Sequence, residues 1–233
     1  MERVFHNPRP DPKRMMEKSV KIIIDKAKFS QRSDRARYIK EHFRALLTGS
    51  ILDVGCDQAY LRDLLPDSSY TGIDVRGRAD IQLNMEQVNR LPFDDSAFDS
   101  VICADVLEHL DNLYCIFGEL VRVCRKYLII SLPNNWCAAR RKIERGYGKI
   151  AHYGLPSQPP QDRHKWFFGL TEARDFFEAQ DRYYPISLCQ LRATEKPRSF
   201  LLTSILHLCY LSEEHYLNRY AHTLWAVFEK RYE

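Results

Sequence analysis

Two short apolar segments, each ending in a carboxylate, constrain this chain more than anything else in its sequence. Ile51-Leu52-Asp53-Val54-Gly55-Cys56 is followed, one helix length later, by Tyr70-Thr71-Gly72-Ile73-Asp74-Val75. β-branched and apolar residues bounded by Gly and Asp read as buried strands, and two of them with a helix between open a βαβ unit. In parallel sheets ligands sit at the carboxyl ends of strands, where the chain order reverses. Asp74, at the tip of the second strand, is placed to accept hydrogen bonds from the two hydroxyls of a ribose, which points to a nucleoside-containing cofactor.

A dinucleotide site would follow the first strand with G-x-G-x-x-G, so that backbone presses on a pyrophosphate. Here the run is Gly55-Cys56-Asp57-Gln58-Ala59-Tyr60, with one glycine and an added carboxylate. Asp57 would repel a pyrophosphate and tolerate a cationic ligand, so the sequence leans away from NAD. The next informative stretch runs from Leu91-Pro92-Phe93-Asp94-Asp95 through Phe98-Asp99 to Val106-Leu107-Glu108-His109-Leu110.

Taken in order, these three segments resemble the motifs of the class I S-adenosylmethionine-dependent methyltransferases, in the branch that contains many small-molecule enzymes. The resemblance spans residues 51–132 and implies a Rossmann-like, doubly wound α/β fold with S-adenosylmethionine as cofactor. It implies that Asp53 sits near the amino group of the methionine part, that Gly55 lets backbone approach it, that Asp74 takes the ribose, and that Cys56 and Val75 belong to the same cofactor site. Asn84 would face the adenine amino group with Met85 packing on the ring, and Cys103 and Ala104 would line the cleft. Relatives usually carry glycine where this chain has Asp57 and Ala59, and Asp where it has Asn84. Asp tolerates the left-handed backbone that such a glycine supports better than most residues do.

The remaining order of elements gives a mixed seven-stranded sheet with one antiparallel edge strand. Strands are expected at 50–55, 70–74, 80–83, 99–104, 126–132, 182–192 and 222–230. Helices are expected at 57–65, 84–90, 108–124, 171–180 (with Thr171 as cap) and 198–217. Residues 1–49 read as a helical extension over the cofactor cleft, with an extended lead-in at 7–14, a helix at 15–28 and another at 33–47. Residues 50–233 read as the methyltransferase domain, with a substrate-facing insertion at 133–168.

Two readings stay open for Asp105-Val106-Leu107-Glu108-His109. One is a capping box, with Asp105 as N-cap and Glu108 reaching back, and no metal. The other is a divalent-cation site of Asp105, Glu108 and His109, because a few relatives bind magnesium through a similar E-x-x-E-H cluster. His109 and His164 are the candidate catalytic residues. His164 reads either as a base near the acceptor or as a histidine held in an Asp162–Arg163 surface turn. Arg140, Arg141, Lys142, Arg145 and Lys149 read either as a solvated helix face or as a cradle for an anionic acceptor.

Charge and composition bound the partners. Residues 1–49 hold 13 Lys and Arg against 6 Asp and Glu, a net of +7 that the remaining residues, at −3, reduce to +4. A basic arm suits nucleic acid or an anionic surface, but no RNA-binding signature with interleaved aromatics accompanies it. The expected acceptor is a small molecule, anionic or glycan-linked, methylated on oxygen or nitrogen; the alternatives are a macromolecular (RNA or protein) acceptor and a catalytically degenerate methyltransferase-like binding protein, which Asp57 and Ala59 favour. The apolar run from Phe200 to Leu211 is too short to cross a bilayer. Seven cysteines without a C-x-x-C pair look like reduced thiols, and no signal core opens the chain, so a cytoplasmic setting is expected.

Overall fold

The computed structural model describes residues 20–160, 162–210 and 212–232. Eight strands form one sheet: β1 (Ile22–Lys26), β2 (Ser50–Val54), β3 (Ser69–Asp74), β4 (Ile81–Gln82), β5 (Phe98–Ala104), β6 (Cys124–Pro133), β7 (Ile186–Glu195) and β8 (Ala221–Lys230). Seven helices join them: α1 (Arg32–Phe43), α2 (Tyr60–Leu64), α3 (Leu113–Val123), α4 (Asn135–Arg145), α5 (Leu170–Gln180), α6 (Phe200–Cys209) and α7 (Glu213–Tyr220). The sheet order is β1-β7-β8-β6-β5-β2-β3-β4. Only β8 runs against its neighbours; β7 and β1 cover its outer side.

The strands are apolar on both faces because helices cover both, and alternate residues feed two separate cores. Leu52, Val101 and Leu128 pack in one cluster with α3 and α5, whereas Ile51, Ile102 and Ile129 pack in the other with α1. The second core centres on Trp225, fully buried against Tyr38 and Phe43 of α1. Among the described residues no helix is long and apolar enough to cross a membrane. All seven cysteines are free.

The helix expected at 15–28 is corrected. Its described part contains β1, which adds an eighth strand in parallel to β7, with Ile22 opposite Leu191 and Ile24 opposite Ala193. The apolar spacing fitted a helix, but Ile22-Ile23-Ile24 is also a β-branched run, and the open edge of β7 decided between the two. Asp25 secures the pairing: its carboxylate accepts from Arg192 Nε at 2.7 Å and from the Tyr38 hydroxyl at 2.6 Å. Glu195, fully buried at the end of β7, is held by Lys26, Arg198 and the Tyr216 hydroxyl. The extended lead-in at 7–14 lies outside the described residues.

Smaller corrections have local causes. The 198–217 segment is two helices, α6 and α7. The 84–90 helix reduces to a 3-10 turn at Met85–Gln87, and 108–124 divides into a 3-10 turn at Leu107–His109 and α3. Thr171 does not cap α5; Gly169 is the N-cap. The Asn218 side-chain oxygen of α7 accepts from Leu170 and Thr171 backbone N–H, and Glu172 accepts from Gly169 N–H. A cap supplied from 48 residues away leaves no mark on the local sequence.

Candidate active site

The chain order reverses between β2 and β5, whose tips lie side by side with Val54 opposite Cys103. The loop after β2 turns back sharply. Gly55 and Cys56 N–H both donate to Ile73 O of β3, at 2.8 and 3.3 Å. Gly55, Asp57 and Ala59 have φ of +78°, +49° and +52°. The loop thus takes the left-handed turns that glycines usually supply, at two positions where this chain has side chains. Asp57 is of a type that bears such a φ better than most side-chain residues. Ala59 bears it at a cost of about 1–2 kcal/mol.

Asp74 locks this loop to β3. Its Oδ2 accepts from Asp57 N–H at 2.9 Å and its Oδ1 from Arg76 N–H at 3.2 Å. A carboxylate oxygen has two lone-pair sites, so each oxygen retains capacity for a ribose hydroxyl. Asp53 is buried and accepts from the Tyr70 hydroxyl at 2.6 Å. Burial pushes its carboxyl up to about 6, against the opposing pull of that hydrogen bond. Asn84 spends its side-chain oxygen on Glu86 N–H, capping the 3-10 turn, and Met85 is buried in the larger core. Cys56 and Cys103 are buried, Ala104 is partly covered and Val75 is exposed.

Beyond β5 the chain enters a left-handed turn at Asp105, with φ +51°. The capping box is not formed. Val106 precedes the Leu107–His109 turn, and no side chain caps it. The Asp105 carboxylate instead accepts from Arg35 of α1 and from the Ser131 hydroxyl of β6, both at 2.5 Å. The Asp105 carboxylate is thus engaged by Arg35 and Ser131, and it is not among the residues that cluster with Glu108 and His109. Val106 lies directly over the β2 loop: a Cβ on Gly55 would fall 2.2 Å from Val106 Cγ2.

Glu108 and His109 follow at once, and the insertion brings His164 to them. One ligand atom from each of Glu108, His109 and His164 lies within 4.8 Å of the other two. Glu108 is 1% exposed and its Oε2 has no hydrogen-bond partner. Burial, then repulsion from Asp105, pushes its carboxyl well above the usual range. A buried carboxylate oxygen without a donor costs several kcal/mol unless a cation or a proton meets it. Burial also lowers His109, and burial with the neighbouring His109 and His152 rings takes His164 down to about 4. Both imidazoles are thus neutral near pH 7, the form that ligates metals. His152 stacks on His164 at 4.5 Å, and Asp162 Oδ1 lies 2.7 Å from His109 Nδ1. Tyr153 anchors the insertion, its hydroxyl 3.0 Å from His164 Nδ1 and donating to Trp166 O, while Trp166 Nε1 donates to Leu110 O. His164 is held by these contacts rather than in a surface turn.

The structure therefore joins Glu108 and His109 to His164, and replaces Asp105 in that group. The sequence pointed to the 150–168 segment without specifying which atoms it brings in. Nothing local to residues 32–43 signals the pairing of Arg35 with Asp105. Arg140, Arg141 and Arg145 lie together on α4 and, with Arg198 and Tyr220, line an open pocket of about 520 Å³.

Residues 52–130, the stretch that supplies the strand tips and the Glu108–His109 pair, match the family model described as a methyltransferase domain. This stretch and the fold around it are similar to a class I methyltransferase domain. S-adenosylmethionine is the cofactor that such a domain implies, and the left-handed Gly55–Ala59 loop with Asp74 beside it fits that molecule. No curated protein matches the sequence. Among solved structures the methyltransferase fold is similar to the small RNA methyltransferase HEN1, at 20% identity and a TM-score of 0.55. That match covers 90% of this chain and 26% of the other, so the chain spans about a quarter of that relative's length. A SAM-dependent methyltransferase from Archaeoglobus fulgidus gives a TM-score of 0.55 at 13% identity, covering 86% and 95% of the two chains. The [4+2]-cyclase SpnF gives 0.53 at 13% identity, covering 92% and 90%.

Proposed function

We propose that the chain transfers the methyl group of S-adenosylmethionine to an oxygen or nitrogen atom of an anionic acceptor, with a divalent cation held by Glu108, His109 and His164. The observation that carries this reading is the unpartnered Oε2 of buried Glu108, facing two neutral histidines just past the tip of β5. Methyl transfer from a sulfonium is an in-line displacement, so the protein has mainly to align the acceptor and exclude water. When bound, the cation would supply a Lewis acid that orients an acceptor hydroxyl and eases loss of its proton.

The chain's own residues do the rest. Asp74 and the β2 loop hold the nucleoside end of the cofactor, and Asp53 balances its cationic end. Val106, wedged against Gly55, fixes the spacing between the cofactor loop and the Glu108 turn. Tyr153 and Trp166 keep His164 against His109, so that both neutral rings can ligate the cation; without it, one of them is the base for the acceptor's proton. The arginines of α4 suit a phosphate or carboxylate on the acceptor. A second reading, a small-RNA acceptor, is favoured by the basic first 49 residues.

The test is methyl transfer from labelled S-adenosylmethionine into cell extract, before and after chelation. Chelation should abolish transfer and added Mg²⁺ or Mn²⁺ restore it. Transfer indifferent to the chelator would remove the cation. Cofactor binding without any transfer would identify a binding protein instead.

A further inference from the structure

Among the described α-helices, α6 alone has no buried side chain. Its ten residues include no Lys, Arg, Asp or Glu, and none of them is buried. Phe200, Leu201 and Leu208 are 88%, 71% and 78% exposed, and Leu202 and Ile205 are about half exposed. Single exposed leucines are ordinary, but five large apolar side chains on one short helix form a patch. The helix is built into the fold: Ser199 caps it, and His207 stacks on the buried Tyr216 ring at 3.7 Å.

Beside this apolar patch runs a cationic rim. Leu202 and Leu206 of α6 share the 520 Å³ pocket with Arg140, Arg141 and Arg145 of α4 and with Arg198; Arg140 pairs with Glu144 and Arg198 with Glu195, which leaves Arg141 and Arg145 to meet an anion. An apolar helix bordered by arginines matches a lipid interface, where the helix enters the acyl boundary and the cations meet headgroup phosphates. Nucleic acid would satisfy the arginines but leave the apolar side chains in water. An apolar protein groove would cover the helix but strand the arginines.

We propose that α6 and the arginine rim of α4 dock this chain on an anionic bilayer surface. Phe200, Leu201 and Leu208 enter the interface and the arginine pocket takes a lipid phosphate. α4 leaves the carboxyl end of β6, and α6 leaves the carboxyl end of β7, so both stand at the edge of the sheet that carries the strand-tip site. Docking through them faces that site to the membrane and selects an acceptor carried by an anionic lipid. This last step deepens the proposed transfer and rests on it, whereas the docking itself needs no turnover.

The experiment is vesicle flotation of the full chain. The protein should float with phosphatidylcholine vesicles containing phosphatidylglycerol, stay behind with phosphatidylcholine alone, and be released by salt. Leu201→Glu with Leu208→Glu should lower partitioning at least about tenfold, since two inserted side chains are lost. Arg145→Ala should lower it about fivefold, one cation's share at an anionic surface. Circular dichroism and the thermal midpoint of each variant, unchanged, show that exposed positions were altered without unfolding. Failure to float with anionic vesicles, or flotation unaffected by the double glutamate variant, overturns the proposal. So does concentration-dependent dimerisation that Leu201→Glu abolishes, or single-stranded RNA binding by a chain that ignores vesicles. None of these outcomes depends on methyl transfer.

Discussion

Gly55 is the point where the cofactor loop touches the loop that carries Glu108, and its replacement by alanine tests that contact. The new Cβ meets two obstacles. Gly55 has φ +78°, a left-handed conformation that costs an L-residue about 1–2 kcal/mol. The Cβ would also lie 2.2 Å from Val106 Cγ2, deep inside ordinary contact distance, and overpacking of this kind costs about 1–3 kcal/mol. Gly55→Ala should therefore destabilise the protein by about 2–5 kcal/mol, read from the urea midpoint at constant slope. The two parts are separable. Val106→Ala removes Cγ2 and leaves Val106 Cβ 3.6 Å away, an ordinary contact. In that background only the backbone cost should persist, giving a favourable coupling of about 1–3 kcal/mol between the two substitutions. The same cycle read by calorimetry should show S-adenosylmethionine affinity lost in Gly55→Ala and partly regained in the double variant. Additivity within about 0.5 kcal/mol, or a single variant costing less than about 1 kcal/mol, would refute the contact and the coupling of the two loops.

Two carboxylates should give opposite pH dependences. Asp53 is raised to about 6 by burial, so between about pH 4 and pH 6 the folded protein binds a proton that the unfolded chain has released. Stability without ligand should fall as pH rises through that window, by up to about 3 kcal/mol, and Asp53→Asn should flatten the fall in a urea titration. Asp99 is lowered to about 2, first by the Ser50 N–H at 3.0 Å and also by Lys126 and Arg125. Its contribution is present above about pH 4 and lost as pH falls toward 2. Asp99→Asn should remove about 1–2 kcal/mol of stability at pH 7 and make unfolding between pH 4 and 2 shallower.

The interior strands were readable because β2, β5 and β6 are apolar on both faces and are closed by Gly55, Asp105 and Pro133, and because Asp74 marks the tip of β3. β1 was not, since its partner β7 lies about 170 residues away and a helical spacing was equally present. In the site, Asp74 followed from its place at a strand tip, whereas Gly55 and the left-handed backbone at Asp57 followed from the resemblance to methyltransferases. Ala59 gave no such sign, because nothing about alanine favours its φ of +52°. Glu108 and His109 were visible as a pair, but their partner was not. Asp105, nearer in sequence, pairs with Arg35 and Ser131, while His164 arrives only after the insertion folds back through Tyr153 and Trp166. Spacing reports neighbours along the chain, and this cluster is assembled by tertiary contacts.

The edge strand β1 sets an order on synthesis. Ile22–Lys26 leave the ribosome first among the described strands, yet the rail on which they lie, Leu191–Glu195, is made some 165 residues later. Until then three consecutive isoleucines wait without a partner, exposed to any other open strand edge. Closing so long a loop is slow, which makes the nascent amino-terminal segment a natural client for a chaperone.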